Sequence, residues 1–340
     1  LYMDMGYPEK ALPWLTLGLE EYKENEEFLA AMADCYRSGE RNTKAISFYN
    51  KLIDKNPYNP SYWTGLAKCH FSQQEFDKAV EACDFALAAD DKFGEAHIIR
   101  AHSLFHLENE TEAIQEYQLA LQSKSLPPDF AHMFIGLAYA NQEKWELAYR
   151  SYEQAMKIIG DDNSPILSDI YSNEIFCLSK LGRYEEAHQL CEKAKKQLPE
   201  SVEIYLQEGR LYLEEDKFEE AKQCWAVALQ YAPEAETLVQ IGNYSLDYGM
   251  VENARLCFEE AKKQDPDYPG INGRLASICM ILRDHKGFQK YNQMSETPLN
   301  IEMIQEMLSQ NTDKDILQNL ETFMNELDDV NDGETEEENN

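Results

Sequence analysis

Residues 201–233, SVEIYLQEGRLYLEEDKFEEAKQCWAVALQYAP, decide how the rest of the chain is organised. The stretch contains two apolar patterns, joined by a polar turn around Asp216 and Lys217. The two apolar stripes consist of Tyr205, Gly209 and Tyr212, and of Phe218, Ala221, Trp225 and Ala228. Their spacing of three or four residues predicts a pair of one-faced helices. A helix pair this short cannot bury its own apolar faces, so it needs neighbouring pairs.

A small residue early in the second helix recurs along the chain at a nearly constant interval. The positions are Ala11, Ala45, Ala79, Ala113, Ala148, Ala187, Ala221 and Ala254, at intervals of 34, 34, 34, 35, 39, 34 and 33 residues. A period near 34 with two helices in each repeat is typical of tetratricopeptide repeats. The chain resembles that family from about residue 1 to about residue 295. The resemblance implies an all-α, right-handed superhelical solenoid of antiparallel helix pairs.

Small residues also occupy the eighth position of the first helix in most repeats. Three repeats carry Gly136, Gly209 and Gly242 there, where others carry Ala33, Ala67 and Ala101. Glycine inside a helix costs about 0.5–1 kcal/mol relative to alanine. Its use at this position therefore predicts that the two helices of the pair approach each other closely.

The repeat register divides the chain into five regions. They are a partial first repeat (1–25), seven full repeats (26–268), a degenerate terminal repeat (269–296), C-terminal capping helices (297–328) and an acidic disordered tail (329–340). Phe288 replaces the small residue in the degenerate repeat, as is common for a terminal capping repeat. We also expect at least one helix to precede Leu1, because the first residues resemble the end of a first helix.

An apolar stripe follows the terminal repeat. It consists of Ile316, Leu317, Leu320, Phe323, Met324 and Leu327. We expect this segment to cover the exposed end of the terminal repeat. The alternative is a detachable helix that occupies a groove of this copy or of another one.

The charge of the chain excludes some classes of partner. Lysine and arginine number 31, aspartate and glutamate number 63, and the net charge is −32. Such a surface repels phosphate backbones, which argues against a nucleic-acid ligand and favours a neutral to basic protein or peptide. No apolar run reaches the length of a membrane span and no signal-peptide pattern is present. We therefore expect a cytoplasmic protein without membrane association, and the sequence leaves its oligomeric state open.

Motifs for chemistry are absent from the sequence. It contains no GxxxxGK[ST], HExxH or GxSxG motif, so we predict no enzymatic activity, no cofactor and no metal. The eight cysteines form no CxxC pair, which favours buried reduced thiols. His102 and His106 share one helix face, but two ligands are too few for a metal site.

The family resemblance also implies where a partner binds. Positions 2, 5, 9 and 12 of each first helix line the concave surface in this family. In the third to sixth repeats the selected residues are Ile98, His102, Phe105, Phe130, Met133, Leu137, Phe176, Leu206, Arg210 and Leu213. Exposed large apolar residues mark interaction sites, so we predict a protein-binding scaffold that holds a peptide or helix in this groove. The alternative for these residues is packing between repeats.

One ligand type of the family is not expected here. The carboxylate clamp that grips acidic chaperone C-termini requires lysine at position 5 and asparagine at position 9 of one repeat. The nearest pairs are Thr64 with Lys68 and Val239 with Asn243. A rival function is that of a recruiting arm of an enzyme whose catalytic domain lies N-terminal to this sequence.

Overall fold

The computed structural model describes residues 8–22, 25–160 and 164–300, together with Met303 and Thr322. These residues form seventeen α-helices, and no strand occurs among them. In chain order the helices are α1 Pro8–Glu21, α2 Glu26–Ser38, α3 Asn42–Lys55, α4 Pro60–Ser72, α5 Phe76–Ala89, α6 Gly94–His106, α7 Glu110–Gln122, α8 Pro128–Asn141, α9 Trp145–Ile159, α10 Leu167–Lys180, α11 Tyr184–Gln197, α12 Val202–Glu214, α13 Phe218–Tyr231, α14 Ala235–Asp247, α15 Val251–Gln264, α16 Ile271–Ile281 and α17 His285–Gln293. The predicted all-α solenoid of helix pairs is confirmed.

The turn inside each helix pair has one recurring backbone feature. In eight pairs, the residue five positions before the small residue (or before Phe288 in the last pair) has a positive φ between 56° and 71°. These residues are Glu40, Gln74, Glu108, Glu143, Gly182, Asp216, Gly249 and Arg283. A side chain in this left-handed conformation costs about 1–2 kcal/mol. The terminal pair α16–α17 therefore keeps the turn of the other repeats although its sequence has diverged.

The described helices form two compact bodies, and the boundary lies within α11. The N-terminal body extends to Ala187 and the C-terminal body begins at His188. In both bodies the recurring small residues have no exposed surface in seven of the eight repeats, and Ala11 is also buried. Larger apolar side chains, such as Tyr117 and Phe258, surround them in local clusters. The core is therefore a series of layers between neighbouring helices, as expected of a repeat protein.

The glycines of the first helices face aromatic rings of the second helices. A Cβ added to Gly136 would lie 2.5 Å from Cε1 of Tyr152. A Cβ on Gly209 would lie 2.6 Å from Cδ1 of Trp225, inside van der Waals contact. The structure thus explains why glycine replaces alanine here, because the ring occupies the space that a methyl group would need.

Residues 294–300, which follow α17, fold back over the terminal repeat. The Leu299 amide donates to Oδ1 of Asn292 over 2.7 Å, and Nδ2 of Asn292 donates to the Leu299 carbonyl oxygen over 3.1 Å. The Leu299 side chain packs against a buried cluster that includes Met280 and Phe288. The predicted stripe from Ile316 to Leu327 and the acidic tail lie outside the described residues, apart from Met303 and Thr322 in the segment before the tail.

Candidate functional site

The first helices of the N-terminal body form one continuous face, which we call the first-helix face. It consists of α2, α4, α6, α8 and α10. Helix α2 packs against α4, α4 against α6, and α8 against α10, while successive second helices of the described part have fewer contacts with each other. Side chains that point away from the second helices therefore line a shared surface, and the predicted binding residues of this body lie on it, except for the buried Met133.

Five of the predicted residues form a partly exposed apolar strip along this face. The strip consists of Ile98, Phe105, Phe130, Leu137 and Phe176. The first three pack with part of their surface against the buried cluster around Tyr117, and the remainder reaches solvent. The apolar strip is thus held in place by the core and still open to a ligand on one side.

At the end of the apolar strip, Phe176 lies between an aromatic ring and a cation. Its ring meets Trp145 in an edge-to-face arrangement, with 5.4 Å between the centroids. The Lys180 ammonium group stands over the same ring, 5.5 Å from its centroid. Both contacts fix the ring orientation at this end of the apolar strip.

His102 belongs to the first-helix face but is enclosed by aromatic rings. Its Nδ1 lies 2.8 Å from the Tyr117 hydroxyl, and its ring meets Phe134 edge-on at 4.7 Å. Burial, with a smaller effect of the neighbouring His106, lowers the pKa of His102 to about 4. The ring is therefore neutral near pH 7 and adds an apolar surface rather than a positive charge to the face.

Three predicted binding residues are buried, which corrects their assignment as exposed groove residues. Met133, Leu206 and Leu213 have between 1% and 7% of their surface exposed. Leu206 and Leu213 belong to a cluster that also contains Ile241 of α14, the next first helix. Leu206 and Leu213 are buried because successive first helices pack against each other at these positions, which is the alternative that the sequence had left open.

Arg210 is the remaining predicted residue of the C-terminal body. It is partly exposed on α12, and its guanidinium group lies over the Tyr244 ring at 5.5 Å. The stacking places a cation on the first-helix side of this body, next to an aromatic ring on α14.

A polar cavity between α2, α4 and α6 was missed by the sequence analysis. It has a volume of about 440 Å³, and its charged and aromatic walls are Asp34, Arg37, Tyr49, Tyr62, Lys68 and Glu95. Four of these side chains are charged, whereas the residues predicted to bind were mostly large and apolar. The available signal was that Asp34 and Lys68 occupy the same position of successive first helices, and that Arg37 follows Asp34 by three residues.

The cavity walls contain two opposite-charge pairs. Arg37 Nη2 donates to Oδ1 of Asp34 over 3.2 Å, and the buried Tyr49 hydroxyl donates to the same oxygen over 2.6 Å. The Lys68 ammonium group donates to Oε1 of Glu95. Each wall charge is thus held by a neighbour from the chain itself.

The metal-binding and thiol chemistry of the described residues is limited. Within the described residues, no group of three histidine, cysteine, aspartate or glutamate side chains could hold a metal ion. All eight cysteines are free, and burial raises the pKa of Cys83 and Cys177 to about 12. Thiols with such values carry almost no thiolate near pH 7, so they are poor nucleophiles. No helix among the described residues is both long and apolar enough to span a membrane.

Comparison with known proteins agrees with this architecture. A family model for the anaphase-promoting complex, cyclosome, subunit 3, matches residues 38–120, and two tetratricopeptide repeat models match residues 131–166 and 178–240. The chain belongs to the tetratricopeptide repeat (TPR) family. A crystal structure of a TPR protein from Parabacteroides merdae has a TM-score of 0.59 at 18% identity, and covers 74% of this chain and 97% of that one.

Two curated relatives are similar over most of this TPR chain. Anaphase-promoting complex subunit 7 of Dictyostelium discoideum is 23% identical over 72% of this chain and 41% of its own length. Human DnaJ homolog subfamily C member 7 is 22% identical over 75% of this chain and 56% of its own length. The chain thus spans about half the length of the curated relatives it matches. The comparisons with TPR proteins favour a role in protein–protein interaction.

Proposed function

We propose that this TPR protein is a non-enzymatic scaffold that binds a neutral to basic peptide or helix of a partner protein on its first-helix face. The observation that carries the proposal is the apolar strip in the N-terminal body. Its side chains are anchored in the core, yet part of their surface remains open. Apolar surface kept in contact with water costs about 25 cal/mol for each Å², and a partner that covers it recovers this free energy.

The charge of the chain supports the choice of partner. The net charge of −32 repels acidic ligands and attracts basic ones. Thr64 and Lys68 are the pair nearest to a carboxylate clamp, and both already have partners within the chain. Thr64 is buried and its hydroxyl donates to the Pro60 carbonyl oxygen, while Lys68 forms an ion pair with Glu95. Eight free thiols favour a reducing compartment, and we place the protein in the cytoplasm.

We further propose that residues 297–328 cap the terminal repeat. The hydrogen bonds between Asn292 and Leu299 support this, since they direct the chain back over the cluster of Met280 and Phe288. Deleting residues 297–340 should then expose this cluster, lower the melting temperature and promote self-association in light scattering. An unchanged melting temperature together with stronger partner binding would instead support the detachable helix.

The binding proposal is tested with peptides selected from a displayed random library on the full chain. Phe130→Ala should weaken the selected peptides at least about tenfold in fluorescence anisotropy, because central aromatic contacts dominate such interfaces. Phe48→Ala is the matched control, since Phe48 is also partly buried against the core of the N-terminal body but lies on the second helix α3. Met133 is unsuitable for this test because it is buried.

The two variants separate binding from stability. Both should lower the melting temperature by similar amounts, and only Phe130→Ala should lower affinity. Equal losses of affinity in both variants, or no loss in either, would contradict binding at the apolar strip.

A further inference from the structure

The polar cavity differs from the apolar strip in having charges on its walls that do not use all their hydrogen-bonding capacity. Both contacts of Asp34 involve Oδ1, and the contact of Glu95 involves Oε1. Among the described residues, Asp34 Oδ2 and Glu95 Oε2 have no hydrogen-bond partner. An ionised carboxylate can accept several hydrogen bonds on its two oxygens, so both groups can accept a further donor.

The exposure of the wall charges decides which sign of ligand the cavity suits. The Asp34 and Glu95 side chains are 50% and 49% exposed, whereas Arg37 and Lys68 are 29% and 25% exposed. The two carboxylates are therefore more accessible to a ligand than the two cations. The four charges cancel, and the net charge of −32 on the chain as a whole attracts a cationic ligand.

Aromatic walls and the size of the cavity add to this preference. Tyr49 and Tyr62 line it, and the Tyr62 hydroxyl donates to Oε2 of Glu26, which brings a third carboxylate close to the wall. A volume of about 440 Å³ lies in the range of ligand pockets, and admits one long side chain with its backbone. Tyrosine faces also attract cations.

We propose that the polar cavity binds a lysine or arginine side chain of the partner protein, through Oδ2 of Asp34 and Oε2 of Glu95. This inference rests on the proposed function, since it names the side chain that the partner places beside the apolar strip. Arg37 and Lys68 keep the two carboxylates in position and remain paired with them when the ligand binds.

The test uses one capped peptide, selected from the displayed library, in forms that differ at a single position. That position carries arginine, its uncharged isostere citrulline, or glutamate. Affinities for the full chain are measured by fluorescence anisotropy with the wild type and with Asp34→Asn combined with Glu95→Gln. The amides retain Oδ1 and Oε1 as acceptors, so the internal hydrogen bonds persist while both negative charges are lost. Asp169→Asn is the matched control, because Asp169 is an exposed carboxylate at the same position of α10 as Glu95 in α6.

We expect the arginine peptide to bind the wild type roughly fivefold more tightly than the citrulline peptide. This ratio should fall to about one in the double variant and persist in Asp169→Asn. Equal binding of the arginine and citrulline peptides, with affinity still dependent on Phe130, would overturn this inference and leave the proposed function standing. Tighter binding of the glutamate peptide, lost in Lys68→Met, would also overturn it. Failure to select any peptide that depends on Phe130 would overturn both.

Discussion

Replacing His102 by glutamine should remove a defined part of the sensitivity of this protein to acid. Burial lowers the pKa of His102 to about 4, whereas the unfolded chain protonates it near its ordinary value of about 6.5. Between these pH values the unfolded state binds more protons than the folded state. The wild type therefore loses stability as the pH falls from about 6.5 towards 4. Above this range His102 is neutral in both states and causes no loss of stability.

The size of the effect follows from the two pKa values. Between about pH 7 and about pH 5.5, the linkage relation predicts a loss of about 1.2 kcal/mol from His102 alone. Glutamine does not titrate, and its side-chain oxygen can accept a hydrogen bond from the Tyr117 hydroxyl, which lies 2.8 Å from Nδ1 in the wild type. We therefore expect the variant to lie within about 1 kcal/mol of the wild type at neutral pH and to lose less stability in acid.

Urea unfolding followed by circular dichroism at the two pH values measures this difference. The lower pH stays above about 4.5, the isoelectric point, so the chain keeps a net negative charge and does not lose its solubility. Carboxylates that titrate in the same range affect both proteins equally and cancel in the comparison. Identical losses of stability in wild type and variant, or an imidazole NMR signal of His102 that titrates near pH 6.5, would refute the reasoning.

Three further substitutions test the packing. Gly209→Ala places a methyl group against the Trp225 indole, so we expect a loss of about 1–2 kcal/mol in urea unfolding, and a gain in stability would contradict the close approach. In Gly182→Ala the added methyl group contacts no neighbouring atom, so the φ of 70° alone should lower the free energy of unfolding by about 1–2 kcal/mol. An unchanged free energy of unfolding would show that the turn relaxes instead. Lys195→Met removes the ammonium group that lies 2.9 Å from the buried Glu208 carboxylate, and should lower the free energy of unfolding by about 3 kcal/mol. Adding Glu208→Gln to this variant should largely restore the lost stability, because no unpaired buried charge remains.

The helix pairs could be predicted because their requirements are local and repeat along the chain. The second helix crosses the first helix closely at Ala221, so the residue at this position must be small. The same requirement recurs at the equivalent position of each repeat. The Gly209 position could be predicted for the same reason. The partner of that glycine could not, because nothing in the sequence indicates that the Trp225 ring, rather than another apolar side chain, fills the space.

The candidate site was only partly predictable. Position 5 of a first helix is partly exposed at Ile98 and buried at Leu206, although both are aliphatic residues in the same register. The difference depends on how closely the next first helix packs, and the sequence of one repeat does not contain that distance. The polar cavity was missed for a related reason. Asp34 and Glu95 lie 61 positions apart in the chain, and only the packing of α2, α4 and α6 brings them to one opening.

Helix α6 connects the two parts of the proposed binding surface. Glu95 lines the polar cavity, and Ile98 begins the apolar strip three residues later on the same helix. Residues three apart in a helix lie on neighbouring positions of one face, about 5–6 Å between their Cβ atoms. A partner whose basic side chain reaches Glu95 therefore places its next large apolar side chain against Ile98 and Phe105. We expect selected peptides to show this order, a basic residue adjacent to an apolar one. Moving the basic residue several positions away from the apolar one should weaken binding as much as replacing it with citrulline.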